Sequence, residues 1–254
     1  MNYYIITGAS RGLGEALTRN LLMPGNTLLA ISRTLNEDLT ELAASIQVPL
    51  FYFECDLGQP KEAENCINAV FDKIHLADND RIALVNNAGM LEPVAPLQSV
   101  DFAMAEKHIK LNLLAPMILS SIFIARTLTF AIPKVILNIS SGASFIPYSG
   151  WSVYGSSKAG IDMMTKVVGL EQSTEPNPVT IFALAPGIIE TGMQESIRQL
   201  DKTMFPGRDS FISLYEEGRL SKPGDVAQII LGAIFSAGIQ TGSVMTIEQL
   251  EEYI

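Results

Sequence analysis

Tyr3-Tyr4-Ile5-Ile6-Thr7-Gly8-Ala9-Ser10-Arg11-Gly12-Leu13-Gly14-Glu15-Ala16-Leu17-Thr18-Arg19-Asn20-Leu21-Leu22 is the stretch that decides the fold of this 254-residue chain. Its first four residues form a β-branched and aromatic run, suited to a buried strand. Glu15 to Leu22 has the apolar spacing of an amphipathic helix, and three glycines lie between strand and helix. Strand, glycine turn and helix in that order are the context in which such a loop binds a pyrophosphate. The glycines allow close backbone approach, and the helix start offers free N–H groups to an anion. The spacing is G-x-x-x-G-x-G, not the commoner G-x-G-x-x-G. Three glycines in an ordinary strand-to-helix turn would read the same way.

Outward from this unit the pattern repeats. Strands are predicted at 27–31, 50–55, 81–86, 135–139, 179–184 and 243–247. Helices are predicted at 60–74, with Pro60 in the tolerated first turn, at 102–127 with a kink or break at Pro116, at 153–170 and at 226–235. A short helix is expected between the second and third strands. Near-continuous apolar strands alternating with helices predict an α/β fold: a doubly wound, Rossmann-type parallel sheet of about seven strands with helices on both faces. No repeat or linker interrupts it, so residues 1–254 read as one domain. Residues 191–222 depart from the pattern, mixing Met193, Met204, Phe205, Phe211 and Tyr215 with charges and Pro206-Gly207. A broken helical insert after strand six lies beyond the carboxyl ends of the strands, where open α/β sheets bind ligands.

One constellation carries chemistry. Tyr154 and Lys158 stand at i and i+4, on one face of a helix. An ammonium near a phenol favours the phenolate and lowers the tyrosine pKa, which makes Tyr154 a candidate general acid or base. Taken alone, the pair would also fit an exposed helix face.

Together these segments resemble the short-chain dehydrogenase/reductase family, and the resemblance covers nearly the whole chain. The motifs run in order: Thr7 to Gly14, Asp56-Leu57, Asn86-Asn87-Ala88-Gly89, Asn112, Ser140-Ser141, Tyr154 with Lys158, and Pro186-Gly187 with Thr191. The resemblance implies hydride transfer between a nicotinamide and a carbonyl carbon, with Asn112, Ser141, Tyr154 and Lys158 as the catalytic set. Ser141 would donate to the carbonyl oxygen and Tyr154 would protonate it. Lys158 would lower the tyrosine pKa and hold the nicotinamide ribose, and Asn112 would keep a water in a proton relay. The family spacing to the tyrosine favours Ser141 over Ser140. It implies cofactor contacts from Gly8, Ser10, Arg11, Gly12, Leu13 and Gly14, and from Asp56 and Leu57 at the adenine. It also implies contacts from Asn86, Ala88 and Gly89, from Tyr154 and Lys158, and from Pro186, Gly187, Ile189 and Thr191. Residues 191–222 would cover the substrate, with Trp151, Met193 and either Phe145 or Tyr148 lining its pocket. The long helices bearing Asn112 and Tyr154 would form a dimer interface, giving a homodimer or homotetramer.

Within the family, Glu190-Thr191-Gly192-Met193-Gln194 and Tyr215-Glu216-Glu217-Gly218-Arg219-Leu220 look like the sepiapterin reductases and bacterial benzil reductases. The aspartate that anchors a pterin has no counterpart in Ser221-Lys222-Pro223-Gly224, with Asp225 the nearest acid. An apolar dicarbonyl is therefore the expected substrate class for a carbonyl reductase. A 3-oxoacyl-thioester reductase, another alcohol dehydrogenase, and a dinucleotide-binding sensor that lost catalysis are the alternatives.

Cofactor preference is read at the end of strand two. An acid there would bind a ribose 2′-hydroxyl, but the sequence is Ala30-Ile31-Ser32-Arg33-Thr34, with no acid before Glu37. Ser32, Arg33 and Arg11 can bond a 2′-phosphate, the guanidinium through a forked contact, so NADPH is expected. The net charge of −10, with no lysine or arginine run, disfavours nucleic acid. Cys55 and Cys66 make no disulfide framework and read as buried thiols. His75 and His108, the only histidines, lie far apart and read as surface or helix-end residues, so no metal site is expected. The apolar stretch 113–125 is too short to span a bilayer, and no basic n-region opens the chain. A cytoplasmic enzyme without a membrane partner is the expectation.

Overall fold

The computed structural model describes residues 1–254. Seven strands alternate with helices: β1 (Asn2–Thr7), β2 (Asn26–Ser32), β3 (Leu50–Glu54), β4 (Arg81–Asn86), β5 (Lys134–Ile139), β6 (Thr180–Ala185) and β7 (Ser243–Thr246). All pair in parallel in the order β3-β2-β1-β4-β5-β6-β7. The order reverses at β1, which sits between β2 and β4, and a crevice at such a switch point is where these sheets take ligands.

Strand residues alternate between the two faces, as a period of two requires. Tyr4, Ile6, Leu28, Ala30, Ala83 and Val85 pack beneath α1 (Gly12–Leu21), α2 (Glu37–Ser45), α9 (Pro223–Ala233) and α10 (Ile247–Glu251). Tyr3, Ile5, Leu29, Ile31, Ile82 and Leu84 pack beneath α3 (Pro60–Phe71) and α5 (Ala115–Thr127). Phe123, Ile5 and Leu17 are without solvent exposure. Fully burying one such side chain contributes about 1.5–3 kcal/mol.

The segment expected as one helix over 102–127 is a continuous rod of three parts: α4 (Phe102–Ile109), a π-turn (Lys110–Leu114) and α5. Pro116 lies in the first turn of α5, so the irregularity precedes the proline. The rod is longer than the apolar stretch read from sequence, and by length and composition it could cross a membrane. In this fold its inner face covers the sheet through Ala115, Leu119 and Phe123. The 191–222 segment forms two short helices, α7 (Gly192–Gln199) and α8 (Arg208–Glu216), and α6 (Ser152–Gln172) runs two residues past its predicted end. Cys55 is buried and Cys66 half-buried, both free thiols.

Candidate active site

The site gathers at the carboxyl ends of β1, β4, β5 and β6. Ser140 and Ser141 follow β5 and face opposite ways. The Ser140 hydroxyl donates to Asp162, inside the protein. Ser141 starts a 3-10 turn (Gly142–Ser144), accepts the Ala143 N–H at 3.2 Å and lies within hydrogen-bonding reach of Tyr154. Tyr154 and Lys158 share the inner face of α6, both buried. Lys158 Nζ donates to the Ile139 carbonyl at 2.7 Å and sits 5.8 Å from the centre of the Tyr154 ring.

Burial governs the electrostatics of the pair. It pushes the Tyr154 hydroxyl above its ordinary pKa, with the Ser141 hydrogen bond opposing. It pushes Lys158 down to about 8 against the pull of Asp162. The expected lowering of Tyr154 by Lys158 therefore does not prevail here. Desolvation disfavours the charged form of both groups, and the ammonium is anchored on a carbonyl instead of the phenol.

Asn112, in the π-turn, has its carboxamide engaged with Met90. Oδ1 accepts the Met90 N–H at 2.9 Å and Nδ2 donates to the Met90 carbonyl at 2.8 Å. Its side chain therefore does not offer the free group expected to hold a relay water. The backbone shifts register at the same place. The Ala115 N–H bonds to the Lys110 carbonyl, five residues back, instead of Leu111, and Pro116 has no N–H to give Asn112. The Leu111 and Asn112 carbonyls thus lack the donor four residues on that a regular helix supplies.

The dinucleotide residues form a cradle. Gly14 has space for no side chain, since a Cβ there would stand 2.2 Å from the Gly8 carbonyl oxygen. Gly8 and Gly12 have φ of +67° and +60°, where side chains are strained. Arg11 caps α1 without a side-chain hydrogen bond, so the N–H groups of the first turn stay open. Thr191 caps α7, also without a side-chain cap, and its methyl group faces Gly12 at 3.4 Å from where a Cβ would be. Two helix N-termini converging on glycine fit the pyrophosphate of a dinucleotide. Ala88 donates to Thr7 Oγ1, Gly89 lies against Asn112, and Pro186 and Ile189 are buried after β6 with Gly187 at φ +77°. Asp56 accepts the Gly58 N–H and is half-buried next to buried Leu57. Ser10 offers its carbonyl to Asn36.

Several residues stand otherwise than expected. The Asn86 side chain points inward, donating to Asn138 and Ser120, and its neighbour Asn87 braces the loop through Thr7 and Gly8. The Ser32 hydroxyl is engaged with the Thr34 carbonyl and the Tyr52 hydroxyl. Arg11 and Arg33 remain exposed and outside every ion pair. Phe145 is 61% exposed and lies outside the apolar cluster around Tyr154, but it lines a cavity of about 340 Å³ with Tyr148 and Trp151. Trp151 and Met193 belong to that cluster, with Leu91, Ile197, Phe205 and Phe211. Trp151 stacks on Phe205 at 4.8 Å, and its indole N–H is buried without a partner. A charged cleft of about 690 Å³ opens between α1 and α7 and does not reach Tyr154.

His108, expected at a surface or helix end, is in the last turn of α4 and fully buried. It stands four residues before Asn112, on the same side of the rod. His75 is exposed.

Comparison with known proteins agrees with this geometry. The short chain dehydrogenase family profile matches residues 2–202. Benzil reductase ((S)-benzoin forming) of Bacillus cereus is 38% identical over 98% of this chain and 100% of its own. Sepiapterin reductase of Rattus norvegicus is 32% identical over 94% of this chain and 93% of its own. The crystal structure of the KRED1-Pglu enzyme superposes with a TM-score of 0.83 at 28% identity, covering 96% of this chain and 100% of that one.

Proposed function

The chain belongs to the short-chain dehydrogenase family, and from that premise we propose that it is an NADPH-dependent carbonyl reductase acting on apolar dicarbonyls such as benzil. The observation that carries the reading is the meeting of Ser141, Tyr154 and Lys158 under an apolar aromatic wall, beside a cradle built for a pyrophosphate. When bound, the cofactor supplies the hydride. Ser141 donates to the reacting carbonyl oxygen, and Tyr154 gives it a proton as negative charge develops there. Burial keeps that proton on Tyr154 until it is needed. Lys158 presents a cation for ribose hydroxyls, and the open carbonyls of the π-turn are suited to hold a water that returns the proton.

Two features favour the finer assignment. Arg11 and Arg33 are unpaired cations at the β1 and β2 ends, where a 2′-phosphate would find a charge-assisted contact. The unpartnered Trp151 N–H gives an apolar wall one donor, suited to the second oxygen of a dicarbonyl. We assign the enzyme as a homodimer through α6 and the rod of π-turn and α5, whose outer faces expose Leu114, Met117, Met163, Val167 and Leu170.

The test follows NADPH and NADH oxidation with benzil, sepiapterin, an acetoacetyl thioester and a simple aldehyde. Benzil turnover with NADPH should exceed the others, and Tyr154→Phe should lower kcat by about 10²–10⁴-fold. Equal efficiency with NADH, or preference for the thioester, would overturn the assignment.

A further inference from the structure

We propose, resting on the reductase reading, that His108 is a positioning residue of the catalytic site. Its neutral imidazole accepts from the Asn112 carboxamide and packs against Ser157, and so fixes the π-turn against the Tyr154 end of α6.

The hydrogen bonds dictate the tautomer. His108 Nδ1 lies 2.7 Å from the Glu92 carbonyl oxygen, which can only accept, so Nδ1 carries the proton. Asn112 is oriented by Met90, whose N–H must meet Oδ1. Nδ2 therefore faces His108 Nε2, at 2.9 Å. An amide NH₂ only donates, so Nε2 must present its lone pair. The Ser157 hydroxyl donates its one proton to the Tyr154 carbonyl oxygen at 2.8 Å, so it packs against Nε2 at 3.0 Å and leaves the lone pair to Asn112. A proton on Nε2 would set N–H against N–H inside a buried network, and such a network is costly when partly satisfied.

The surroundings favour the neutral form. Burial holds His108 below its ordinary pKa, and the Lys158 ammonium on α6 acts in the same direction. The Glu92 carboxylate, on the segment after β4, acts against it, and Tyr154 is the other titratable group facing the ring from α6. On its own element, Glu106 and Lys107 are exposed, and Lys110 pairs with Glu106. The imidazole also meets the Tyr154 ring edge-on, with centres 5.9 Å apart. One buried side chain thus touches the proton donor, the turn with the open carbonyls and the helix joining them.

The experiment compares His108→Phe with His108→Gln in the benzil assay, and follows the imidazole ¹⁵N resonances of the unmodified protein from pH 8 to 5. His108→Phe keeps a ring against Tyr154 but offers no acceptor to Asn112. It should lower kcat about 10- to 100-fold, as small misplacements do, with KM for NADPH within about twofold of wild type. His108→Gln can accept from Asn112 through Oε1 and should recover most of kcat. The resonances should show the Nδ1–H tautomer at pH 7 and persist below about pH 6.5, the ordinary imidazole value. A folded His108→Phe with wild-type kcat, a His108→Gln no better than His108→Phe, or an Nε2–H or doubly protonated ring at pH 7 would overturn the proposal. Should the wild type reduce no carbonyl, the reductase reading fails, while the ¹⁵N spectra still judge His108 separately. Should His108→Phe not fold, the spectra and the glutamine variant decide.

Discussion

Lys158 titrates where the enzyme would work. Its pKa, pushed down to about 8 by burial, sits well below the 10.5 of a free lysine. Below pH 8 the ammonium is present to meet ribose hydroxyls, and above it the charge is lost. Because kcat/KM reports the free enzyme, kcat/KM for NADPH should fall as pH rises through about 8. Lys158→Ala should be low throughout and lack that limb. A profile flat to pH 9.5 in the wild type would show that Lys158 is not the titrating group. The residue types of this pair and their shared face could be read from the i, i+4 spacing. The winner between attraction and desolvation could not, because burial is a property of the packed site. The family spacing to the tyrosine picked Ser141 over Ser140, and Ser140 turns inward to Asp162. His108 was passed over because nothing local marks a lone histidine as buried. Only the folded contact with Glu92, Ser157 and Asn112 does so.

Elements with strong periodicity were readable, while those held by tertiary contacts were not. The seven strands follow the apolar runs to within a residue or two of their ends. The π-turn is invisible in the 102–127 pattern: one extra residue rotates the stripe by about 100°, but α5 is apolar on nearly every side and has no stripe to displace. Helices α7 and α8 span only 8 and 9 residues, about two turns each, too short for their periodicity to stand out beside Pro206-Gly207, so the segment after β6 read only as a broken insert. That segment is fastened to the catalytic loop at Gly150, which has φ +90° and would place a Cβ 2.4 Å from the Met204 carbonyl oxygen. Gly150 also accepts the Ala95 N–H through its carbonyl. Alanine at a positive φ is strained, and here it must also push the Met204 backbone away. Gly150→Ala should destabilise the protein by at least about 1 kcal/mol and raise KM for the carbonyl substrate. The Kd for NADPH, whose proposed cradle at Gly8 to Gly14 does not include Gly150, should change less than twofold, by about 0.4 kcal/mol at most. A variant with unaltered carbonyl KM would show that this contact does not position the substrate cover.

At the scale of the molecule, one helix divides two tasks. α6 turns Tyr154, Ser157, Lys158 and Ile161 into the fold, while Met163, Val167 and Leu170 recur at helical spacing on its outer side. Leu170 is 73% exposed and Met163 59%, beside exposed Leu114 and Met117 on the neighbouring rod. The sequence carried both stripes, yet an outward stripe and an inward one look alike until the sheet shows which is covered. Large apolar side chains gathered on one face of an otherwise acidic molecule are expensive to leave in water. A two-fold partner presenting the same face would cover them. Sedimentation at micromolar concentration should give twice the chain mass for the wild type and a single chain for a Met163→Lys, Leu170→Glu double variant. Both positions are exposed in the single chain, so the substitutions should leave its folding intact, within about 0.5 kcal/mol. A monomeric wild type would remove the proposed dimer, as would a double variant that kept the doubled mass. Loss of turnover on dissociation, with NADPH still bound, would further show that the outer stripe steadies the inner one.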